Sequence, residues 1–267
     1  MKIAALQMVS TPSVERNLDA ARALVEHGAA EGAELLVLPE YFCLMGKSDR
    51  DKLAVAEVPG AGPIQTMLAD AARRHRVWLV GGTLPLASGE KGRVMNANLV
   101  FSPAGEQVAR YDKMHLFRYD NGSEQYDEGR TLLAGSEPTA FDAAGWRVGL
   151  SICYDLRFPE LYRALMTPPC DLLCVPSAFT HPTGSAHWEL LLRARAIENQ
   201  CYVIAAAQGG RHENGRRTFG HSLIVDPWGE IVAMLPEGEG VVAGEMRRER
   251  IAETRAQLPA LEHRRRF

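Results

Sequence analysis

The sequence predicts an α/β fold, because short apolar segments typical of buried strands alternate with segments that have the period of amphipathic helices. The same order of elements occurs twice, and each half ends in two strands joined by a turn with the sequence Pro-x-Gly-Glu. No linker or low-complexity segment separates the halves. We therefore predict a single domain, residues 1–267, built from two pseudo-equivalent halves that each contribute a sheet with helices on its outer face.

The first half begins with an alternating strand at residues 3–8 and a helix over residues 13–30, for which Ser13 is the predicted N-cap. The elements that follow are a strand at 35–38, a helix at 64–74, a strand at 77–81 and hairpin strands at 97–101 and 107–111.

The second half repeats this order. Its predicted elements are a strand at 147–152, a helix at 159–166, a strand at 171–175, a helix at 185–199, a strand at 202–207 and hairpin strands at 223–225 and 231–235.

Composition and charge exclude several classes of protein. Apolar residues make up 46% of the chain and charged residues 24%, which is ordinary for a soluble globular protein. No apolar run approaches the ~20 residues that span a bilayer, and the first residues do not resemble a secretory signal, so we expect a cytoplasmic protein. A net charge of −3 gives no electrostatic basis for binding nucleic acid.

The cysteines indicate reduced thiols. Their number is odd, which argues against a framework of disulfides: Cys43, Cys153, Cys170, Cys174 and Cys201. Cys170 and Cys174 have a spacing that suggests a metal ligand pair, but no cluster of histidine or cysteine lies nearby in the sequence. We predict that these two are buried structural thiols, and we expect no metal site.

Three residues whose side chains could take part in catalysis follow predicted strands. Glu40 follows the second strand, Lys113 follows the first hairpin, and Cys153 follows the first strand of the second half. Ligand sites in α/β sheets form at strand ends. The chain turns at Cys153 towards a helix that Pro159 can start, which is the geometry of a nucleophile elbow.

These three residues form a coherent catalytic set. A cysteine nucleophile needs a base, which Glu40 could supply, and a tetrahedral intermediate needs a fixed positive donor, which Lys113 could supply. A Cys–His dyad is the competing arrangement, and its base would be one of four histidines: His115, His181, His187 and His221. The residues by themselves leave both arrangements open.

Over essentially its whole length the sequence resembles the nitrilase superfamily, the carbon–nitrogen hydrolases. The motifs that carry the resemblance are Leu-Pro-Glu at 38–40, Asp-Lys-x-His-Leu-Phe at 112–117 and Cys-Tyr-Asp-Leu-Arg-Phe-Pro-Glu at 153–160. The resemblance implies a four-layer αββα sandwich that assembles through its helices into a homodimer or a higher homo-oligomer. It implies no metal and no cofactor.

The resemblance also implies a Glu-Lys-Cys triad, with Glu40 as general base, Lys113 as oxyanion stabiliser and Cys153 as nucleophile. Hydrolysis would proceed through a thioester on Cys153. The family has a second glutamate after the lysine, and Glu128, seven residues before Gly135, fits that place, where it would orient Lys113 and the leaving amine. Glu124 is the competing candidate.

Residues 176–179, 183–189, 192–198 and 207–212 are similar to the deaminated glutathione amidase branch of the superfamily. The expected reaction therefore converts deaminated glutathione to α-ketoglutarate and cysteinylglycine. The ω-amidase branch, which acts on α-ketoglutaramate, shares the His-Trp-Glu at 187–189 but usually differs around 207–212. A catalytically silent nitrilase-like binding protein is a further alternative, disfavoured because every triad position is filled.

The acyl group common to both substrates ends in a carboxylate, which calls for a cation. The candidates are Arg157, Arg193, Arg195 and Arg211. We also predict that the N–H of Tyr154 contributes to the oxyanion site, that Phe179 contacts the substrate, and that Arg211 lies where a dipeptide leaving group would bind.

Overall fold

Strands and helices alternate along the chain in the computed structural model, which describes residues 1–120, 122 and 125–265. The helices are α1 (Val14–Ala30), α2 (Asp51–Ala54), α3 (Pro63–His75), α4 (Pro159–Ala164), α5 (His181–Asn199) and α6 (Arg248–Gln257). The strands are β1 (Lys2–Gln7), β2 (Leu35–Val37), β3 (Trp78–Val80), β4 (Leu84–Ala87), β5 (Val94–Phe101), β6 (Gln107–Asp112), β7 (Arg118–Asp120), β8 (Gln125–Asp127), β9 (Leu132–Leu133), β10 (Ala140–Ala143), β11 (Trp146–Leu150), β12 (Leu172–Cys174), β13 (Tyr202–Ala205), β14 (Ser222–Val225), β15 (Ile231–Leu235) and β16 (Gly240–Glu245). Short 3₁₀ helices occupy Glu128–Arg130 and Cys153–Arg157.

Across the described residues, most strands belong to one sheet of eight strands or another of six. The first has the order β16-β1-β2-β3-β5-β4, with β6 and β9 also paired to β5, and the second has the order β10-β11-β12-β13-β14-β15. Each sheet contains three adjacent parallel strands with an antiparallel strand on one side and an antiparallel hairpin on the other. The predicted repeat of the element order is therefore confirmed.

Alternation along the strands of the first sheet separates two apolar cores. Ile3 and Ala5 of β1 face the core shared with the second sheet, whereas Ala4 and Leu6 face the core under α1 and α3. On the far side of the second sheet, α5 packs against β13 and β14, and its Trp188 is buried. The order of layers is helix, sheet, sheet, helix, which confirms the αββα prediction. No described helix is both long and apolar enough to cross a membrane.

The two Pro-x-Gly-Glu turns have the same backbone geometry. In each turn the N–H of the residue before the proline donates to the carbonyl of the glutamate, from Ser102 to Glu106 and from Asp226 to Glu230, both at 2.9 Å. The glycine of each turn has a φ of +79° or +92°, a left-handed conformation that favours glycine over other residues. The short sequence match therefore reflects a structural repeat.

Helix boundaries agree with the sequence where a cap marks them. The Ser13 hydroxyl accepts from the N–H of Arg16 at 3.4 Å and caps α1 as predicted. By contrast α5 begins at His181, four residues before the predicted start, because Pro182 fits the first turn of a helix. Strand β11 ends at Leu150, two residues before its predicted end, as the chain leaves the sheet towards Cys153.

Strand β16 was not predicted from the sequence. It pairs antiparallel with β1, from Lys2 opposite Glu245 to Gln7 opposite Gly240, and so completes the edge of the first sheet with a segment from the second half. Local sequence patterns carry no information about such distant pairing.

Candidate active site

One cleft collects the strand-end residues singled out in the sequence. Glu40 follows β2, Lys113 follows β6, Cys153 lies three residues beyond β11, and Glu128 opens a 3₁₀ helix. All but Lys113 line a cleft whose empty volume, including the part open to solvent, is about 720 Å³, and Lys113 lies buried directly behind Glu40 and Glu128. The strand ends of both sheets therefore meet at one place.

The Lys113 ammonium lies between two carboxylates. Its Nζ is 2.8 Å from Oε1 of Glu40 and 2.9 Å from Oε2 of Glu128. The side chains of Lys113 and Glu40 are each 1% exposed, and that of Glu128 is 11% exposed. Because buried charges are costly unless paired, this arrangement holds a fixed positive charge at the base of the cleft.

Further hydrogen bonds fix the two carboxylates. The amide of Asn96 donates to Oε1 of Glu40 at 3.0 Å, and the N–H of Ala178 donates to Oε2 at 3.0 Å. Glu128 accepts from the hydroxyl of Tyr41 at 2.7 Å and from the N–H of Phe117 at 2.7 Å. Sequence reasoning missed Asn96, Tyr41 and Ala178, because each acts through a contact between segments far apart in the chain.

Cys153 sits in a constrained turn, as the sequence predicts. Its φ is +49°, a left-handed conformation that is unusual for a residue other than glycine, and its N–H donates to the carbonyl of Pro176 at 2.9 Å. Asp155 holds the turn by accepting from the N–H of Ile152 at 2.8 Å and from the hydroxyl of Tyr111 at 2.7 Å. The turn directs the thiol out of the sheet and into the cleft.

The two carboxylates that contact Lys113 have opposite pKa shifts. Burial raises the pKa of Glu40, with a further contribution from the negative charge of Glu128 and opposition from Lys113. Burial also disfavours ionised Glu128, but Lys113 and the donated hydrogen bonds outweigh it and lower the pKa of that carboxyl. The pKa of Lys113 rises well above its usual range because both glutamates outweigh its burial. These directions favour Glu128 as the ionised carboxylate and Glu40 as the carboxylate that exchanges protons.

Burial raises the pKa of the Cys153 thiol well above its usual range, and the Glu40 carboxylate adds to this shift. Lys113 and the N–H of Ala178 act in the opposite direction. The cysteine therefore rests as a thiol and needs a base to become a nucleophile. The other cysteines are free and buried in the cores, where burial raises the pKa of Cys43 and Cys170 to about 12.

The predicted substrate-contacting residues divide into two groups. Tyr154, Arg157 and Phe179 line the cleft. Arg211 does not: it is exposed, and the cleft is instead lined by two other arginines of the same segment, Arg216 and Arg217. Arg193 and Arg195 are also directed elsewhere, since they donate to the carbonyls of Gly229 and Leu156. Among the four arginine candidates, the structure therefore brings Arg157 alone into the described part of the cleft.

The described cleft lining contains no histidine. His115 is bound to Asp155 at 2.7 Å, and His221 is directed at the carbonyl of Phe219 at 2.9 Å. These contacts disfavour a Cys–His dyad. Glu124, the competing candidate for the second glutamate, lies outside the described residues. Within them no group of three or more metal-ligating side chains occurs.

A thiol beside a proton-exchanging carboxylate and a buried ammonium is equipped for nucleophilic attack on an electrophilic carbon. Comparison with known proteins identifies the class of bond. Residues 2–256 match the family model described as carbon-nitrogen hydrolase. A protein of Synechocystis named deaminated glutathione amidase is 43% identical over 265 residues, which cover 98% of this chain and 97% of that protein. The human protein of the same name is 37% identical, over 98% of this chain and 82% of its own.

Solved structures agree with this relationship. The NitFhit protein of Caenorhabditis elegans superimposes with a TM-score of 0.89 at 37% identity, over 99% of this chain and 65% of its own. Nit3 of Saccharomyces cerevisiae, a member of branch 10 of the nitrilase superfamily, gives a TM-score of 0.88 at 32% identity, over 97% of this chain and 94% of its own. The chain belongs to the carbon–nitrogen hydrolase family within the nitrilase superfamily, and it is a hydrolase of carbon–nitrogen bonds other than peptide bonds.

Proposed function

We propose that this enzyme hydrolyses its amide substrate through a thioester on Cys153. Glu40 takes the proton from the thiol, and the sulfur attacks the amide carbon while the carbonyl electrons move to oxygen. Lys113 and the N–H of Tyr154 stabilise the oxyanion. That N–H has no acceptor among the described residues, and Lys113 already carries its charge at the base of the cleft.

The tetrahedral intermediate collapses by breaking the carbon–nitrogen bond, and the departing amine takes the proton from Glu40. A water molecule then gives a proton to Glu40 and adds its oxygen to the thioester carbon. The carbon–sulfur bond breaks, Cys153 is reprotonated, and the acid is released. The observation that carries this proposal is the geometry of the site: Glu40 and Cys153 line one cleft, and Nζ of Lys113 lies 2.8 Å from Glu40 and 2.9 Å from Glu128. The raised pKa of Glu40 and the lowered pKa of Glu128 support Glu40 as the proton carrier.

The proposed substrate is deaminated glutathione, with α-ketoglutarate and cysteinylglycine as products. Proteins of that name match nearly the whole chain at 37–43% identity. Arg157 supports the assignment because it stands in the same 3₁₀ helix as Cys153 and within 5.4 Å of the Phe179 ring. From that position the guanidinium would bind the carboxylate of the α-ketoglutaryl group.

The test compares hydrolysis of deaminated glutathione, α-ketoglutaramate and a simple aliphatic amide under one set of conditions. We expect the highest kcat/KM for deaminated glutathione. A kcat/KM that favours α-ketoglutaramate would identify the enzyme as an ω-amidase instead.

The base is tested by Glu40→Gln, with His181→Gln as the matched control. General base catalysis contributes about 10²–10⁴ in rate, so kcat should fall by at least about 10² in Glu40→Gln and stay near normal in the control. A near-normal kcat in Glu40→Gln together with a large loss in His181→Gln would favour a Cys–His dyad.

A further inference from the structure

The cations around the cleft differ in whether a carboxylate of the protein holds them. Three are ion-paired: Lys113 with Glu40 and Glu128, Arg216 with Asp49 at 2.9 Å, and Arg217 with Glu237 at 2.8 Å. Arg157 and Lys52 also line the cleft, and neither forms an ion pair with a described carboxylate, although Nη1 of Arg157 lies 3.3 Å from Nδ1 of His187. These two cations are therefore available to a ligand.

The two available cations stand on different walls. Arg157 lies over the rings of Tyr154 and Phe179, at 5.8 and 5.4 Å, beside the turn that carries the nucleophile. Lys52 belongs to α2, and its Nζ lies 5.4 Å from the centre of the Tyr41 ring. Because the Tyr41 hydroxyl is bound to Glu128, Lys52 lies on the wall that carries this carboxylate.

The surroundings of Lys52 favour an anionic ligand. The side chain is half-buried, and burial lowers its pKa, with further lowering by the charges of Arg216 and Lys113. Glu128 and Asp49 act in the opposite direction, but each is already bound to another cation. A carboxylate that enters the cleft would replace the water lost by this ammonium with a charge-assisted hydrogen bond.

The proposed substrate has a carboxylate at each end. Arg157 is four residues from Cys153, which suits the short α-ketoglutaryl half. The cysteinylglycine half extends about 7 Å beyond the amide nitrogen, since two extended residues span ~3.3–3.6 Å each. Its glycine carboxylate would therefore lie on the opposite side of the scissile bond from the α-ketoglutaryl carboxylate, where a second cation could bind it.

We propose that Lys52 binds the carboxylate at the end of the leaving amine, so that the cleft selects amides that carry an anionic group on both sides of the scissile bond. This inference rests on the proposed function and extends it to the leaving group. It separates deaminated glutathione from α-ketoglutaramate, whose leaving group is ammonia and offers Lys52 nothing to bind.

The test uses three substrates: deaminated glutathione, its analogue with the glycine carboxylate converted to a carboxamide, and α-ketoglutaramate. Each is assayed with the unchanged enzyme, Lys52→Met, Lys52→Arg and the control Lys47→Met, which removes an exposed lysine upstream of α2. In the unchanged enzyme, the carboxamide should lower kcat/KM at least about tenfold. In Lys52→Met, kcat/KM should fall by the same factor for deaminated glutathione and stay unchanged for the other two substrates. Lys52→Arg should retain most of the kcat/KM of the unchanged enzyme for deaminated glutathione.

A loss in Lys52→Met that is equal for all three substrates would reveal a structural role and overturn the inference. Equal kcat/KM for the carboxylate and the carboxamide in the unchanged enzyme would also overturn it, while leaving the proposed function intact. Absence of any hydrolysis of deaminated glutathione by the unchanged enzyme would overturn the proposed function and, with it, the role of Lys52.

Discussion

The two halves of the chain fold in the same order but bring different chemistry to the cleft. The first half supplies the titratable groups that surround the ammonium, Glu40, Lys113 and Glu128. The second half supplies Cys153 and the backbone N–H of Ala178 that binds Glu40. The segment after β2 thus carries a carboxylate, and the segment after its counterpart β12 carries the donor for it. Repetition of the scaffold has therefore not repeated the chemistry, and the site exists only where both halves meet.

Removing the nucleophile, which the second half supplies, should cause the largest loss of turnover. Cys153→Ala removes the nucleophile, and we expect no turnover and no acyl-enzyme by intact-protein mass spectrometry after mixing with substrate. Cys174→Ala is the control, because this buried cysteine lies in β12 and does not line the cleft. Substantial activity in Cys153→Ala would remove this residue from the mechanism.

Removing the Lys113 ammonium, which the first half supplies, should cause the next largest loss of kcat. Removing one oxyanion donor from a dry site typically lowers kcat ~10²–10³-fold, and we expect a loss of at least this size in Lys113→Met. Circular dichroism and thermal unfolding would establish that the variant is folded. A folded Lys113→Met enzyme with near-normal kcat contradicts the role assigned to Lys113.

The second glutamate should affect the pH dependence more than the rate. The negative charge of Glu128 raises the pKa of Glu40, so Glu128→Gln should lower that pKa and keep Glu40 ionised at more acidic pH. Because Glu40 must be ionised to accept the thiol proton, the acidic limb of the kcat/KM profile should move to lower pH. Glu237→Gln, which removes a carboxylate bound to Arg217, is the control. An acidic limb that stays in place or moves to higher pH would refute the coupling.

The smallest expected effect is a change in the free energy of unfolding when the two repeated turns are altered. In these turns the halves differ in the side chain that accepts hydrogen bonds from the turn backbone. Asp226 accepts from the N–H groups of Trp228 and Glu230 at 2.9 and 2.8 Å and also pairs with Arg250. Ser102 accepts two equivalent N–H groups at 3.2 and 3.4 Å. Urea unfolding should show a loss of about 1–2 kcal/mol for Asp226→Ala and about 0.5–1 kcal/mol for Ser102→Ala. A larger loss of stability for Ser102→Ala than for Asp226→Ala would contradict the expected difference between the two turns.

The sequence was informative wherever local pattern decides structure. Alternation and apolar runs located the parallel strands, and a polar residue after a strand marked Glu40, Lys113 and Cys153 as members of one site. The sequence could not predict the hydrogen bonds that Asn96 and Ala178 donate to Glu40, because these residues meet Glu40 only after distant segments have packed. Arg211 illustrates the same limit: Arg216 and Arg217 lie only a few residues away, and the fold brings these two to the cleft but not Arg211.

The pairing of β16 with β1 has a consequence for the chain during its synthesis on the ribosome. Strand β1, with Ile3 to Leu6 fully buried in the native protein, is synthesised more than 200 residues before its partner at residues 240–245. Until then one edge of an apolar strand stays unpaired, and such edges readily pair with other chains. Nascent or truncated chains that end before residue 240 should therefore aggregate and depend on chaperones, whereas chains that include β16 should not.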